Sequence, residues 1–195
     1  MTTSARRGPA AGMHPPRCLN EYPRAVLTRT CLCLIVRGAG TAQQVLLGYK
    51  KTGFGTGRWV GLGGHVEDGE QPRAAAAREV AEESGLIVSA DSLDHVASLT
   101  FRFPARPAWD QTAEVYLTGQ FRGQPQDSEE IAPSWFGVSD LPLAAMWDDA
   151  RYWLPRVLAG QRVAADISFA ADCATVATLT PRRWPGRRPR SRLSG

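Results

Sequence analysis

Three glutamates, Glu79, Glu82 and Glu83, stand at i, i+3 and i+4. That spacing puts all three carboxylates on one face of a helix. Like charges so placed repel and weaken the helix that carries them. A fold that keeps them must bring something cationic over that face. Hard divalent cations such as Mg²⁺ bind oxygen donors of this kind. The flanking sequence marks where the helix starts and stops. Pro72 suits a first helical position, Ala74 to Ala77 are strong helix formers, and Gly85 suits the left-handed residue that ends a helix. Gly63 and Gly64 lie upstream and, lacking a Cβ, let the backbone come close to a metal ion and to phosphates. Glu79 and Glu83, one turn apart, form the best ligand pair, and Glu82 is a further ligand or a base. Arg78 leaves the helix on another side, positioned to fix Glu70 or a loop carbonyl through a bidentate contact.

The rest of the chain reads as strands around two helices, an α+β arrangement. The apolar run from Ala25 to Val36 predicts a first strand, in which Cys31 and Cys33 share a face. Val45 to Tyr49 predicts its returning partner, and Trp59 to Leu62 a short strand after a glycine-punctuated loop. Further strands are expected at Ile87–Val88, Val96–Phe103, Glu114–Phe121 and Ser134–Phe136, with weaker ones at Ile167–Phe169 and Thr175–Thr178. A helical turn is expected at Leu143–Met146 and a second helix at Arg151–Leu158. Residues 1–23, rich in Pro, Gly, Ala and Arg, read as a disordered tail, 24–180 as one domain, and 181–195 as an Arg/Pro-rich disordered tail.

Composition narrows the function. Hydrophobic residues make up 43% and charged residues 22% of the 195, as in an ordinary globular protein. No apolar run approaches the roughly 20 residues that span a bilayer, and the N-terminus lacks an apolar secretory segment. The four cysteines have neither metal-site spacing nor a disulfide framework, which suits reduced thiols and a cytoplasmic location. The net charge of +4 belongs to the tail. Six arginines crowd the last 15 residues with no acid among them, so the remainder is slightly acidic. Such a tail supports weak contact with nucleic acid, but not a dedicated interface. Lys50 and Lys51 are the only lysines, and adjacent strand residues point to opposite faces. At most one therefore faces the acids, and Lys50 is assigned to a phosphate contact.

The stretch Gly64 to Leu86 matches all nine specified positions of the Nudix box, Gly-x5-Glu-x7-Arg-Glu-hydrophobic-x-Glu-Glu-x-Gly-hydrophobic. The chain thus resembles the Nudix hydrolases. The resemblance implies a mixed sheet sandwiched between helices and hydrolysis of nucleoside diphosphate derivatives with Mg²⁺, or Mn²⁺ in its place. It also implies a metal set of Gly63, Glu79, Glu82, Glu83 and Glu130, the last reaching back from a distant loop. Arg78 and Glu70 complete the catalytic group.

Beyond the box, Val45 to Lys51, Gly53 to Trp59, Pro133 to Phe136, Met146-Trp147 and Tyr152 to Pro155 are similar to the branch of the family that hydrolyses oxidised purine nucleoside triphosphates. By that likeness the products are a nucleoside monophosphate and pyrophosphate, and the role is nucleotide-pool sanitation. Lys50, Gly63 and Gly64 are expected at the phosphates, with Phe54, Phe101, Phe103 and Trp147 forming an aromatic wall for the base. The branch reads the base with an asparagine and two aspartates. Here Val60 holds the asparagine's position. The aspartate pair falls on Asp149 and Ala150, or, with a one-residue shift, on Asp148 and Asp149. A small nucleotide ligand, no membrane partner and a monomer are expected. Two alternatives are a pyrophosphatase for another nucleotide derivative and a sensor that uses the pocket only to bind.

Overall fold

A computed structural model describes residues 27–185. The tail read at 1–23, the start of the first predicted strand and the arginines from 187 onward lie outside the described residues. In chain order the elements are β1 (Thr28–Arg37), β2 (Gln44–Lys50), β3 (Trp59–Val60), α1 (Pro72–Ser84), β4 (Asp94–Arg102), β5 (Gln111–Thr118), β6 (Ile131–Gly137), α2 (Ala150–Leu158), β7 (Val163–Phe169) and β8 (Val176–Pro181). They form one mixed sheet in the order β3-β2-β1-β5-β4-β7-β8, with β6 on the other edge of β2. β1 runs parallel to β5, and β4 runs parallel to β7. The other strand pairs are antiparallel.

β1 is an interior strand, between β2 and β5, and its side chains explain the two-sided core. Cys31, Cys33 and Ile35 are buried with Ala75, Ala76 and Val80 of α1. Leu34 and Val36 are buried on the opposite face with Ala150, Trp153, Leu154 and Val157 of α2. A strand buried on both faces reads as a nearly continuous apolar run rather than an alternating one, which is how Cys31 to Val36 reads. The small side chains of Ala75 and Ala76 let α1 lie close to the sheet.

One break in the sheet creates the site. β1 and β2 pair only at Ile35–Arg37 with Gln44–Leu46. Beyond that point they diverge, and the chain after β3 runs into the wedge between them. There Cys33 N donates to Leu62 O at 2.6 Å and Cys31 N to Gly64 O at 2.9 Å. This pairing carries the glycine turn to a fixed place beneath α1. The helix ends where the sequence predicts: Gly85 is left-handed at φ 69° and its N–H bonds Ala81 O.

Elsewhere the elements depart in extent. Ile87 makes one bridge, to Arg122, rather than a strand. α2 starts one residue earlier than expected, and β7 and β8 are longer. β8 ends on Pro181, Arg182 bonds Ser98 O and pairs with Asp166, and Trp184 packs on His95. The ordered sheet therefore takes in the first residues of the stretch read as a tail. No helix among the described residues is long and apolar enough to cross a membrane.

Candidate active site

α1 delivers its acids into the wedge with their charges already answered. Glu83 is only 3% exposed, and burying a lone carboxylate is costly unless it is paired and hydrogen-bonded. It accepts from Gly63 N at 2.8 Å and from Lys50 Nζ at 3.1 Å. Burial outweighs both contacts and pushes its pKa up to about 7. Lys50 Nζ also reaches Glu130 at 3.0 Å, so one ammonium joins the helix to the loop before β6. Burial pulls the Lys50 pKa down, but Glu83 and Glu130 more than offset this, and it stays above its ordinary value. Lys51 points the other way, to Asp127 and Ser128 O.

Arg78 organises the second half of the acid cluster. Its Nε and Nη2 bond the two oxygens of Glu70 at 3.2 and 3.0 Å, and Nη2 also donates to His65 O at 3.0 Å. Nη1 reaches both Glu79 and Glu82 at 3.0 Å. Such bidentate pairs fix geometry as well as charge. The Arg78 bond holds Glu70 below the ordinary carboxylate range, while burial raises Glu79 despite Arg78. Glu70 also accepts from Glu67 N, which closes the turn before α1.

The donor set is all oxygen, as Mg²⁺ prefers. Glu79, Glu82, Glu83 and Glu130 bring carboxylates to one end of a single cavity together with Gly63 and Gly64. A Cβ added to Gly64 would stand 2.5 Å from Glu79 Oε1, so only glycine lets that carboxylate approach the turn. Among the described residues, no three acidic, histidine or cysteine side chains stand ready to hold a metal ion. Lys50 and Arg78 hold them instead. The residues fit a hard divalent cation in chemistry, and its entry would exchange these internal cations for an external one.

The same cavity, of about 1010 Å³, runs to an aromatic end. Phe54, Phe101, Phe103 and Trp147 line it, as does Val60. Phe54 stacks on Trp147 with centroids 5.0 Å apart and planes at 17°. Asp149, 5% exposed, faces the cavity and accepts from Trp153 Nε1 at 2.7 Å. Burial pushes its pKa up to about 6, against the Trp153 bond and the positive charge of Arg58. Asp148 does not line the cavity. It accepts from Val176 N at 2.8 Å and pairs with Arg151, tying α2 to β8. Of the two registers read from the sequence, the structure brings in Asp149 with Ala150. Trp109 also lines the aromatic end, edge-on to Phe54 at 5.2 Å, and the sequence reading did not single it out. The Asp149–Trp153 bond was missed too, although their i,i+4 spacing was a usable signal.

A pocket that joins clustered acids to an aromatic slot suits hydrolysis of a charged group attached to a flat ring. A NUDIX domain model matches residues 26–157, more than half of the chain. The chain belongs to the Nudix hydrolase family. Within it, the chain is 40% identical over 127 residues to the oxidized purine nucleoside triphosphate hydrolase of Mus musculus, covering 65% of this chain and 80% of that protein. The corresponding protein of Danio rerio is 37% identical over 126 residues, covering 65% and 79%. The crystal structure of the MutT protein from Bacillus halodurans superposes with a TM-score of 0.66 at 18% identity, covering 82% of this chain and all of that one, a likeness of fold.

Proposed function

We propose that the protein hydrolyses purine nucleoside triphosphates with an oxidised or otherwise modified base, releasing the monophosphate and pyrophosphate, with Mg²⁺ as the cation. The observation that carries this reading is the single cavity with acids at one end and Trp147, Phe103 and Asp149 at the other. When bound, the metal neutralises phosphate oxygens and acidifies the attacking water. Glu79 and Glu83 would hold it, with Glu82 and Glu130 as further oxygen donors. Lys50, which bonds Glu83 and Glu130 here, would contact phosphate. Arg78 keeps Glu70 and the turn at His65 in place, so the backbone at Gly63 and Gly64 meets the phosphates in a fixed geometry. At the other end the aromatic side chains exclude water and Asp149 bonds the base edge. The relatives in mouse and zebrafish, named for oxidised purine substrates, support the substrate class.

Val60 favours a second reading, a pyrophosphatase for another nucleotide derivative, because it gives the base end an apolar side chain that cannot hydrogen-bond a ring substituent. The test is pyrophosphate release from a panel of oxidised, methylated and unmodified nucleotides with and without Mg²⁺. Wild type is expected to act and Glu83→Gln to lose activity. Equal inactivity of both on every nucleotide, with binding retained, would favour a sensor instead.

A further inference from the structure

The turn Gly53 to Arg58 grips Trp147 at three points. Phe54 stacks on the indole, and a Cβ added to Gly55 would stand 3.1 Å from Trp147 Nε1. The Arg58 guanidinium carbon lies 4.5 Å from the indole centroid. Arg58 Nη1 also donates to Met146 O at 3.1 Å, across 88 residues of sequence. Gly53, Gly55 and Gly57 have φ of 74°, 88° and 84°, backbone that other residues adopt only under strain. The turn's path around the ring therefore depends on glycine. Among the described residues Arg58 has no carboxylate within ion-pair distance, so its direct contacts are the ring and the carbonyl, and its charge reaches Asp149 only from a distance. The turn returns to β2 through the backbone N–H of Lys50, the lysine that joins the acids, which donates to Arg58 O at 2.9 Å.

We propose that Arg58 is a positioning residue for substrate selection, fixing the plane and depth of Trp147 at the base end of the cavity. This rests on the reading that the aromatic end takes the base. A cation over an indole and a hydrogen bond to the preceding carbonyl hold the ring from its face and from its backbone at once. The Arg58 side chain, which substitution would change, touches neither the acids nor the phosphate end. Its loss should therefore weaken binding of the base and leave the hydrolytic step unaltered. Arg106 supplies a matched control, since its guanidinium lies 4.7 Å from the Trp109 centroid.

The experiment compares Arg58→Met, Arg58→Lys and Arg106→Met with wild type, using the nucleotide that wild type turns over best. Arg58→Met is expected to raise KM about tenfold, equivalent to about 1.4 kcal/mol, with kcat within about twofold. Arg58→Lys, which keeps the charge, should recover part of that loss, and Arg106→Met should have a smaller effect. A second readout needs no substrate. With 5-fluorotryptophan incorporated, the Trp147 fluorine resonance, assigned by Trp147→Phe, should move in Arg58→Met and hold still in Arg106→Met. An unmoved resonance with unchanged KM would overturn the proposal, as would a fall in kcat at constant KM. Should no nucleotide be turned over by wild type, the catalytic reading fails while the resonance still decides whether Arg58 holds Trp147. Arg58→Lys carries the same test if the methionine variant does not fold.

Discussion

Replacing Glu83 by glutamine should destroy activity and stabilise the metal-free protein. Glu83 is nearly enclosed, and burial lifts its pKa from an ordinary value of 4.5 to about 7 despite Gly63 and Lys50. At 1.36 kcal/mol per unit, the ionised form is disfavoured in the folded state by roughly 3 kcal/mol. Glutamine stands in for the protonated acid and keeps an oxygen for Gly63 N–H, but its amide nitrogen cannot accept from Lys50 as the second carboxyl oxygen does. A net gain of about 1–2 kcal/mol at pH 8 remains, or roughly 3–6 °C in melting temperature for a chain of this size. The direction with pH follows from linkage. A carboxyl whose folded pKa is raised contributes stability that is complete below its unfolded value near 4.5 and lost as pH rises through about 7. The advantage of Glu83→Gln should accordingly be full at pH 8 and close to zero at pH 4.5. Thermal and urea melts in a chelator across this range would measure it. Added Mg²⁺ should then raise the wild-type melting temperature more than that of the variant. A variant no more stable than wild type at pH 8, or an advantage that does not shrink on acidification, would refute the account of Glu83 as a strained carboxylate.

Other substitutions separate the parts of the site. Gly64→Ala pushes on the flexible end of Glu79, so kcat should fall about a hundredfold while stability changes by less than about 1 kcal/mol. Gly63→Ala, at φ 151° with its Cβ 2.1 Å from Cys31 O, should destabilise the fold by more than about 3 kcal/mol in urea melts. Arg78→Lys cannot span both oxygens of Glu70 and His65 O together. It should cut kcat by roughly 10- to 100-fold with little change in KM, measured by steady-state kinetics. Val60→Asn should raise kcat/KM for oxidised over unmodified purines by about tenfold, the value of one added hydrogen bond. An unchanged ratio would remove Val60 from base selection.

What the sequence revealed depended on how local the physics is. The limits of α1 follow from Pro72 and Gly85 alone, and the shared face of its glutamates follows from helical spacing. The turn at Gly63 is recognisable because only glycine fits there. Lys50 was assigned to the acids' side of the strand, but its bridge between Glu83 and Glu130 was not visible. Such contacts across 33 and 80 residues arise only once β2, α1 and β6 are packed. Asp148 and Asp149 look equivalent in sequence and differ only by the start of α2, which turns one toward the cavity and the other toward Val176 N. Trp109 belongs to the site through the short turn before β5, a placement that no residue pattern announces. β7 was under-read because Ala164 and Ala165 blunt the hydrophobic signal of a strand paired on both sides.

The double use of Lys50 and Lys51 bears on the order of assembly. The last residue of β2 and the one after it hold the segment before β6 from two sides, Lys50 through Glu130 and Lys51 through Asp127, Ser128 O and its own N–H on Glu130 O. The acid at position 130 cannot be registered against α1 until strands distant in sequence have closed, and closing such long loops is slow. A refolding chain should therefore gain its helix early and its complete set of acids late. Neutralisation of Glu83 would then be among the last local events, so an unfinished chain would carry the acidic helix without the loop that brings Glu130 to Lys50.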